Sequence, residues 1–410
     1  METITRPLSL LSLPDEILSH ILLFLPTQRD ICFVCLASRR LNTLADPILH
    51  KDVLFEEPRH HATFLDSLAT RPRRSSLIQK VRVEYPSSEI SDYLQRDESG
   101  YPIDKFSHSI SRMTNLVSLV VSVPESLSYG IGHVFNGPFD LALLQSCTLF
   151  YQCENDEYWD LQANIHVFSH PTLENLIIRR ARLNEEGFEF LQLSRGTALK
   201  TLQLIECDIN IDALYDILHI PEALKEITIT QLEIPEPPLQ EVPDLIDDYI
   251  SAIEVTKESL ESMVIDFSSL SAKEPMRLRE FNHLSRLEIR DYQLFGQATP
   301  RLLSVGLPSN LETLKFFGQV GNDEEISELL CHTIERKNIL AHRWTKMIVE
   351  GPGRPPPNIL NVCEKFDGFL IETKQVRRRL VSTDSVIMEI SSPLRDKFEM
   401  LSWLEQSGDS

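Results

Sequence analysis

Glycine is scarce in this sequence, 14 of 410 residues. Phosphate-cradling loops use glycine so that backbone and ligand can approach closely, and neither a Walker-type loop nor G-x-G-x-x-G occurs. Gly130 and Gly132 lack a third glycine and a preceding strand pattern. H-E-x-x-H and G-x-S-x-G are also missing, which excludes the commonest metal-hydrolase and serine-nucleophile arrangements. Cysteines number seven, odd and scattered, with no disulfide framework, and no Asn-x-Ser/Thr acceptor is present. Both features point to a reducing compartment, cytoplasmic and/or nuclear. No apolar run approaches the ~20 residues of a membrane helix. The leucine-rich start is broken by Asp15 and Glu16, unlike a signal peptide. Positive charge is in deficit: 40 Lys and Arg stand against 61 Asp and Glu, a formal net charge of −21. Such a surface repels a nucleic-acid backbone, so no nucleic acid and no membrane is expected as a partner.

Local exceptions carry little weight. Arg71, Arg73 and Arg74, and Arg377, Arg378 and Arg379, are basic clusters of the kind usually found solvated on a loop or helix face. Cys32 and Cys35 have redox or zinc spacing, but no second ligand pair accompanies them and both fall in a helical pattern, so packing is expected. His60, His61, His166 and His170 have no Cys or carboxylate at ligand spacing. Asp247-Asp248 and Asp323-Glu324-Glu325 read as loops or helix starts. The expectation is no metal, no cofactor and no intrinsic active site.

What is present is a folded composition, 42% hydrophobic and 25% charged, on a chain long enough for two domains or a small domain and an array. The first fifty residues hold three short helical patterns. Ser12 and Asp15 have capping-box spacing, and Pro14 suits a first helical turn. Ile17, Leu18, Ile21, Leu22 and Leu25 follow as an apolar stripe that Pro26 ends. Thr27 and Asp30 repeat the start signal before Ile31, Val34, Cys35, Ala37 and Leu41. Leu44 and Ile48 flank an expected break at Asp46-Pro47. Phe24, Phe33 and Leu36 add apolar surface. So small a bundle is marginal alone and needs a cover, from a partner or from the domain that follows.

The run LPDEILSHILLFLPTQRDICFVCLASRRLNTLADPIL resembles the F-box family at Leu13-Pro14, Glu16, Ile21, Leu25-Pro26, Arg40-Leu41, Ala45 and Asp46-Pro47. It departs at His50, where many members carry tryptophan. The resemblance implies docking onto a Skp adaptor, and through it onto a cullin and RING scaffold. The contact residues it implies are Leu13, Pro14, Ile17, Ile21, Leu22, Leu25, Pro26 and Leu36.

The rest of the chain repeats. Apolar or small residues fall at relative positions 1, 4, 6, 9 and 11 in five consecutive copies, which begin at Leu173, Leu199, Leu224, Leu260 and Leu284. Weaker copies show only positions 1, 4 and 6: Ile78/Val81/Val83, Leu116/Leu119/Val121, Leu144/Cys147/Leu149, Leu311/Leu314/Phe316, Trp344/Met347/Val349 and Phe366/Phe369/Ile371. Positions 4 and 6 lie two apart, so both side chains leave one face of a short strand. A strand with one buried face needs neighbours beside it, which predicts a parallel sheet running along a solenoid. These copies resemble the leucine-rich-repeat family, irregularly spaced. The stretch 210–218 reads as a capped helix between strands. Residues 235–243, 296–308 and 351–357 interrupt the period, and 376–410 is expected to be a helical cap with a polar tail.

The expected fold is therefore α/β: a small three-helix F-box at 8–55, an irregular leucine-rich-repeat solenoid (horseshoe) at 56–375, and the cap. Residues alternating with the core positions face away from the core and are the candidates for binding a protein substrate. They are Arg179, Gln203, Thr228, Asp266, Arg290, Lys315 and Phe317, with Ile177, Ile205, Thr230, Val264 and Glu288 beside them. Mixed charge and apolar character suits a protein partner. The resemblance implies the substrate-recognition subunit of an SCF-type cullin ubiquitin ligase, not itself an enzyme. An adaptor-binding interaction scaffold without ubiquitin transfer is the alternative.

Overall fold

The computed structural model describes residues 10–85, 110–124, 141–153, 157–184, 196–235, 238–297, 305–321, 323–351, 354–366 and 369–374. A 3-10 turn at Leu10–Ser12 leads into three helices: α1 (Asp15–Leu22), α2 (Gln28–Ala37) and α3 (Arg39–Leu49). Thr27 caps α2, its Oγ1 accepting from the Asp30 N–H at 3.1 Å. Ser38 caps α3 by accepting from the Leu41 N–H at 3.2 Å.

Two local expectations fail. Ser12 and Asp15 form no capping box, because Pro14 is the N-cap of α1 and Asp15 turns to Arg40 at 2.6 Å. Asp46-Pro47 does not break α3, which runs on to Leu49. Proline costs a helix one N–H bond. Here it stands near the helix end, and the next carbonyl, that of Asp46, still accepts from the His50 N–H at 3.2 Å. Leu22, Ile31 and Ala45 form the centre of the bundle, with Leu25, Val34, Cys35, Leu44, Ile48 and Leu49 around them.

The chain then runs through β1 (Asp52–Phe55), α4 (Pro58–Thr70), β2 (Lys80–Glu84), β3 (Ser118–Pro124), β4 (Ser146–Gln152), β5 (Trp159–Asp160), β6 (Asn175–Arg179), β7 (Ala181–Leu183), β8 (Thr201–Ile205) and β9 (Asp208–Ile209). It continues through α5 (Ile211–His219), β10 (Glu226–Thr230), α6 (Ile246–Ile253), β11 (Ser262–Asp266), β12 (Arg286–Ile289), α7 (Asp291–Phe295), β13 (Thr313–Phe317), α8 (Glu324–Glu335), α9 (Lys337–Leu340), β14 (Lys346–Glu350), α10 (Pro357–Glu364) and β15 (Leu370–Lys374). Twelve strands form one parallel sheet in the order β1-β2-β3-β4-β6-β8-β10-β11-β12-β13-β14-β15. The remaining three, β5-β7-β9, form a smaller one. The helix predicted at 210–218 is α5, capped by Asn210, whose Oδ1 accepts from the Asp212 N–H at 2.7 Å.

Position 4 of every repeat but the last stacks in register across the large sheet. Val81, Leu119, Cys147, Leu176, Leu202, Ile227, Met263, Leu287, Leu314 and Met347 lie side by side and are wholly buried. The weak copies at 78, 116, 144, 311 and 344 are therefore strands as regular as the strong ones. The last copy slips: Ile371, not Phe369, pairs with Met347. Phe369 sits edge-on to Trp344 instead, 5.2 Å between ring centres.

One copy escaped the sequence pattern. Val53 and Phe55 pair with Val81 and Val83, so Asp52–Phe55, expected inside the first domain, is the edge strand of the sheet. Its position 1 is His50, buried and stacked on Phe64 at 6.2 Å.

Two copies carry a left-handed residue at position 8. Arg180 (φ 50°) and Glu206 (φ 56°) adopt that conformation, which costs a non-glycine residue ~1–2 kcal/mol, and they pair with each other at 2.9 Å. Beyond them the chain turns back, burying Ala181, Leu183, Cys207 and Ile209 in the smaller sheet. The copy from Leu224 lacks the device. Its buried Gln231 bonds through its N–H to the Asp266 carbonyl at 3.0 Å, and Ile234, expected in the core, is 77% exposed. In the copy from Leu260, Phe267 is buried one place ahead of the expected Ser268. The insertion at 235–243 is anchored. The N–H groups of Gln240 and Glu241 donate to the wholly buried Asp208 carboxylate at 3.0 and 2.9 Å. Residues 376–410, the expected cap, lie outside the described residues.

Leu204→Ala removes a wholly buried side chain from a central strand. It should lower stability by ~2–5 kcal/mol in urea denaturation, whereas Ile234→Ala should change it by less than ~0.5 kcal/mol.

Candidate functional site

The bundle presents the first candidate surface. Burial of Leu18 and Leu22 turns one side of α1 inward, and the same helix geometry leaves Ile17 (49%) and Ile21 (40%) exposed one turn apart. Leu10, Leu11, Leu23, Phe24, Phe33 and Leu36 are exposed as well, Leu36 at 82%. More than half of the large exposed apolar side chains among the described residues thus fall within residues 10–36. Isolated exposed leucines are ordinary, but a concentration of this kind makes the bundle a candidate interaction surface.

Arg40 fixes the entrance to α1. Its guanidinium donates to the Asp15 carboxylate at 2.8 Å, to the Leu13 carbonyl at 2.7 Å and to the Leu11 carbonyl. Of the expected adaptor contacts, Pro14, Ile17, Ile21, Pro26 and Leu36 are exposed, and Leu13 and Leu25 are half-buried. Leu22 must be withdrawn as a contact, since at 5% exposure it is the centre of the bundle's own core. Arg29 lies over the Phe33 ring at 5.6 Å and His20 edge-on to Phe24 at 5.1 Å, neighbours that the helical stripe did not predict.

The second candidate is the sheet face opposite the core. At its C-terminal end the structure brings the expected charged residues into ion pairs. Asp266 pairs with Arg290 at 2.8 Å. Lys315 reaches Glu288 at 3.0 Å and also Glu350, and lies over the Phe317 ring at 4.5 Å. Arg286 donates to Glu288 at 2.6 Å and Lys346 pairs with Glu372 at 3.0 Å. Burial works against the Lys315 ammonium, but the bonds to Glu350 and Glu288 prevail and raise its pKa. Burial also raises the Asp266 carboxyl above its ordinary value, against the pull of Arg290. Glu350 and Arg286 were missed from sequence. Their signal is register: Glu350 lies beside Phe317 on the neighbouring strand.

Towards the middle of the face the charges thin out. Ile177, Gln203, Thr228 and Val264 form one half-buried row and Ile205 and Thr230 lie in the next. Arg179 stands apart. Only 9% of it is exposed, its guanidinium lies over Phe150 at 5.3 Å, and its Nε has no hydrogen-bond partner.

Other candidates are structural. Arg74 is bound to Asp46 at 2.7 Å, and with Asn42, Arg71, Pro72 and Arg73 it lines a shallow recess beside α3. Cys35 packs half-buried against the bundle core as a free thiol, whereas Cys32, also expected to pack, is exposed on α2. Asp323 caps α8 by accepting from the Glu325 N–H at 2.9 Å, and Asp247 lies in the first turn of α6. Among the described residues no group of three or more His, Cys, Asp or Glu could hold a metal ion, and no helix is long and apolar enough to cross a membrane.

Residues 10–56 match the family described as F-box-like. The match covers the three helices and β1. No curated protein matches the chain.

The Asp266 carboxyl should titrate above 3.8 when followed by its ¹³C shift. Arg290→Gln removes the strongest opposing influence and should move that midpoint further up. A midpoint unmoved by the substitution would mean that the ion pair does not act on Asp266.

Proposed function

We propose that this protein is the substrate-recognition subunit of an SCF-type cullin ubiquitin ligase. The helices at 10–56 dock a Skp adaptor, and the twelve-strand sheet, read as a leucine-rich-repeat horseshoe, holds a protein substrate on the concave face of its strands. The observation that carries this reading is the F-box-like match falling on the same helices that expose Ile17, Ile21, Phe24, Phe33 and Leu36. F-box domains bind Skp adaptors, and an interface of this kind needs apolar anchors standing out of the free surface. In this reading the chain itself is not the catalyst. Ubiquitin transfer is accelerated by holding a substrate near a charged enzyme carried elsewhere in the complex. Adaptor, cullin and substrate place the work in the cytoplasm, the nucleus or both.

The test is co-expression of the full chain with a Skp adaptor, followed by size-exclusion chromatography. The wild-type chain should co-elute. A chain carrying Ile17→Ala, Ile21→Ala and Leu36→Ala should lose the adaptor, a drop in affinity of at least ~100-fold. Its circular dichroism should stay unchanged, because these side chains are exposed. A folded wild-type chain that never co-elutes would remove the ligase role. Co-elution combined with failure to support ubiquitin transfer in a reconstituted complex would favour a scaffold instead.

A further inference from the structure

We infer that Arg179 is the recognition point for an oxyanion, a carboxylate or a phosphoryl group, carried among apolar residues on the protein segment that binds the sheet face. The inference rests on the reading of that face as the partner-binding surface, and it names what the partner must present.

Arg179 belongs to the outward row of β6, yet it is 9% exposed, while its row neighbours Phe150 and Ile205 are only half-buried. A guanidinium that has lost its water needs a counter-charge and acceptors, or it destabilises the fold. The other half-buried cations described on this face have theirs. Arg290 has Asp266, Lys315 has Glu288 and Glu350, Lys346 has Glu372, and Arg82 has Glu84 at 3.0 Å. Arg179 has no carboxylate within ion-pair distance among the described residues. The acid that acts on it, Glu206, is bound to Arg180 at 2.9 Å. The Nε of Arg179 is buried without an acceptor. Desolvation lowers its pKa, and the delocalised charge of a guanidinium keeps it protonated in proteins.

Phe150 supports one face of the guanidinium at 5.3 Å, which leaves the in-plane N–H donors for a planar or tetrahedral oxyanion. Ile177 and Ile205 flank the arginine, so the residues beside the oxyanion are apolar. With a net charge of −21 the chain offers an anion no long-range attraction, and recognition is by contact at this one place.

The experiment uses the full chain with ¹⁵N at arginine Nε, titrated with sodium phosphate and separately with sodium acetate at constant ionic strength. One Nε–H signal should shift and saturate at about millimolar anion, and that signal should be absent from Arg179→Met. Arg179→Lys keeps the charge and removes the labelled nitrogen, so it provides the assignment if Arg179→Met does not fold. Phosphate saturating at roughly a tenth of the acetate concentration or less assigns a phosphorylated partner, and comparable values assign a carboxylate. The inference falls if no arginine signal saturates by ~100 mM, or if the saturating signal persists in Arg179→Lys. Adaptor co-elution is read separately, so loss of this site and loss of the ligase reading are distinguishable.

Discussion

The sheet depends on one hydrogen-bond arrangement repeated at the entrance to its strands. The carbonyls of Lys51, Gln79, Val117, Gln145, Glu174, Lys200, Lys225, Glu261, Ser285 and Glu312 each accept from two consecutive N–H groups of the next repeat, at 2.7–3.2 Å. Two donors on one oxygen fix both the spacing and the phase of the incoming strand. A slip of one residue would turn every core side chain outward. With the entrance fixed, the chain between strands is free to vary in length. It contains α5 in one repeat, α6 and a long insertion in another, and α8 with α9 in a third. Regularity is concentrated in a few backbone atoms per repeat, and irregularity is permitted everywhere else.

That division explains what could be read from sequence. Positions 1, 4 and 6 were legible even in faint copies, because the ladder forces them into a buried column whatever surrounds them. Leu116/Leu119/Val121 and Leu144/Cys147/Leu149 are as deeply buried as the clearest copies. Positions 9 and 11 lie beyond the ladder. They were legible together where Arg180 and Glu206 turn the chain back, and position 11 alone holds at the buried Leu270 and Leu294; nothing in residue type announces a left-handed arginine. The final copy misled because Phe369 fits an apolar template, while its ring is spent on Trp344. The first copy was invisible because histidine leads it, and histidine is not scored as apolar although its ring can stack on Phe64. In the bundle, helical period located the helices. It did not say that Leu22 faces inward while Ile21 faces out, a distinction set by how α1 rests on α2 and α3.

The two candidate surfaces differ in kind. The bundle exposes aliphatic and aromatic groups, whose removal from water is favourable in any geometry that covers them. The sheet face opposite the core is polar and largely self-satisfied at its C-terminal end, where Lys315 and Arg290 already hold their carboxylates. A partner meeting that end must compete with pairs already made, which lowers the gain from each new contact. The middle of the face carries hydroxyl and aliphatic groups with little charge. Energy for binding is thus available at the bundle and at the middle of the sheet.

His50 belongs to two structures at once. It is the C-cap of α3, bonded through its N–H to the Asp46 carbonyl, and it leads the first repeat of the sheet. Gln28 of α2 adds a bond to the Asp52 carbonyl at 2.5 Å on the edge strand itself. No spacer separates bundle from sheet, so the junction has no hinge and works as a rigid bracket. Whatever grips the helices and whatever rests on the strands are then held at a set distance and angle, like two jaws of a fixed gauge. Among the described residues, the spacing between the two surfaces is set by this junction alone.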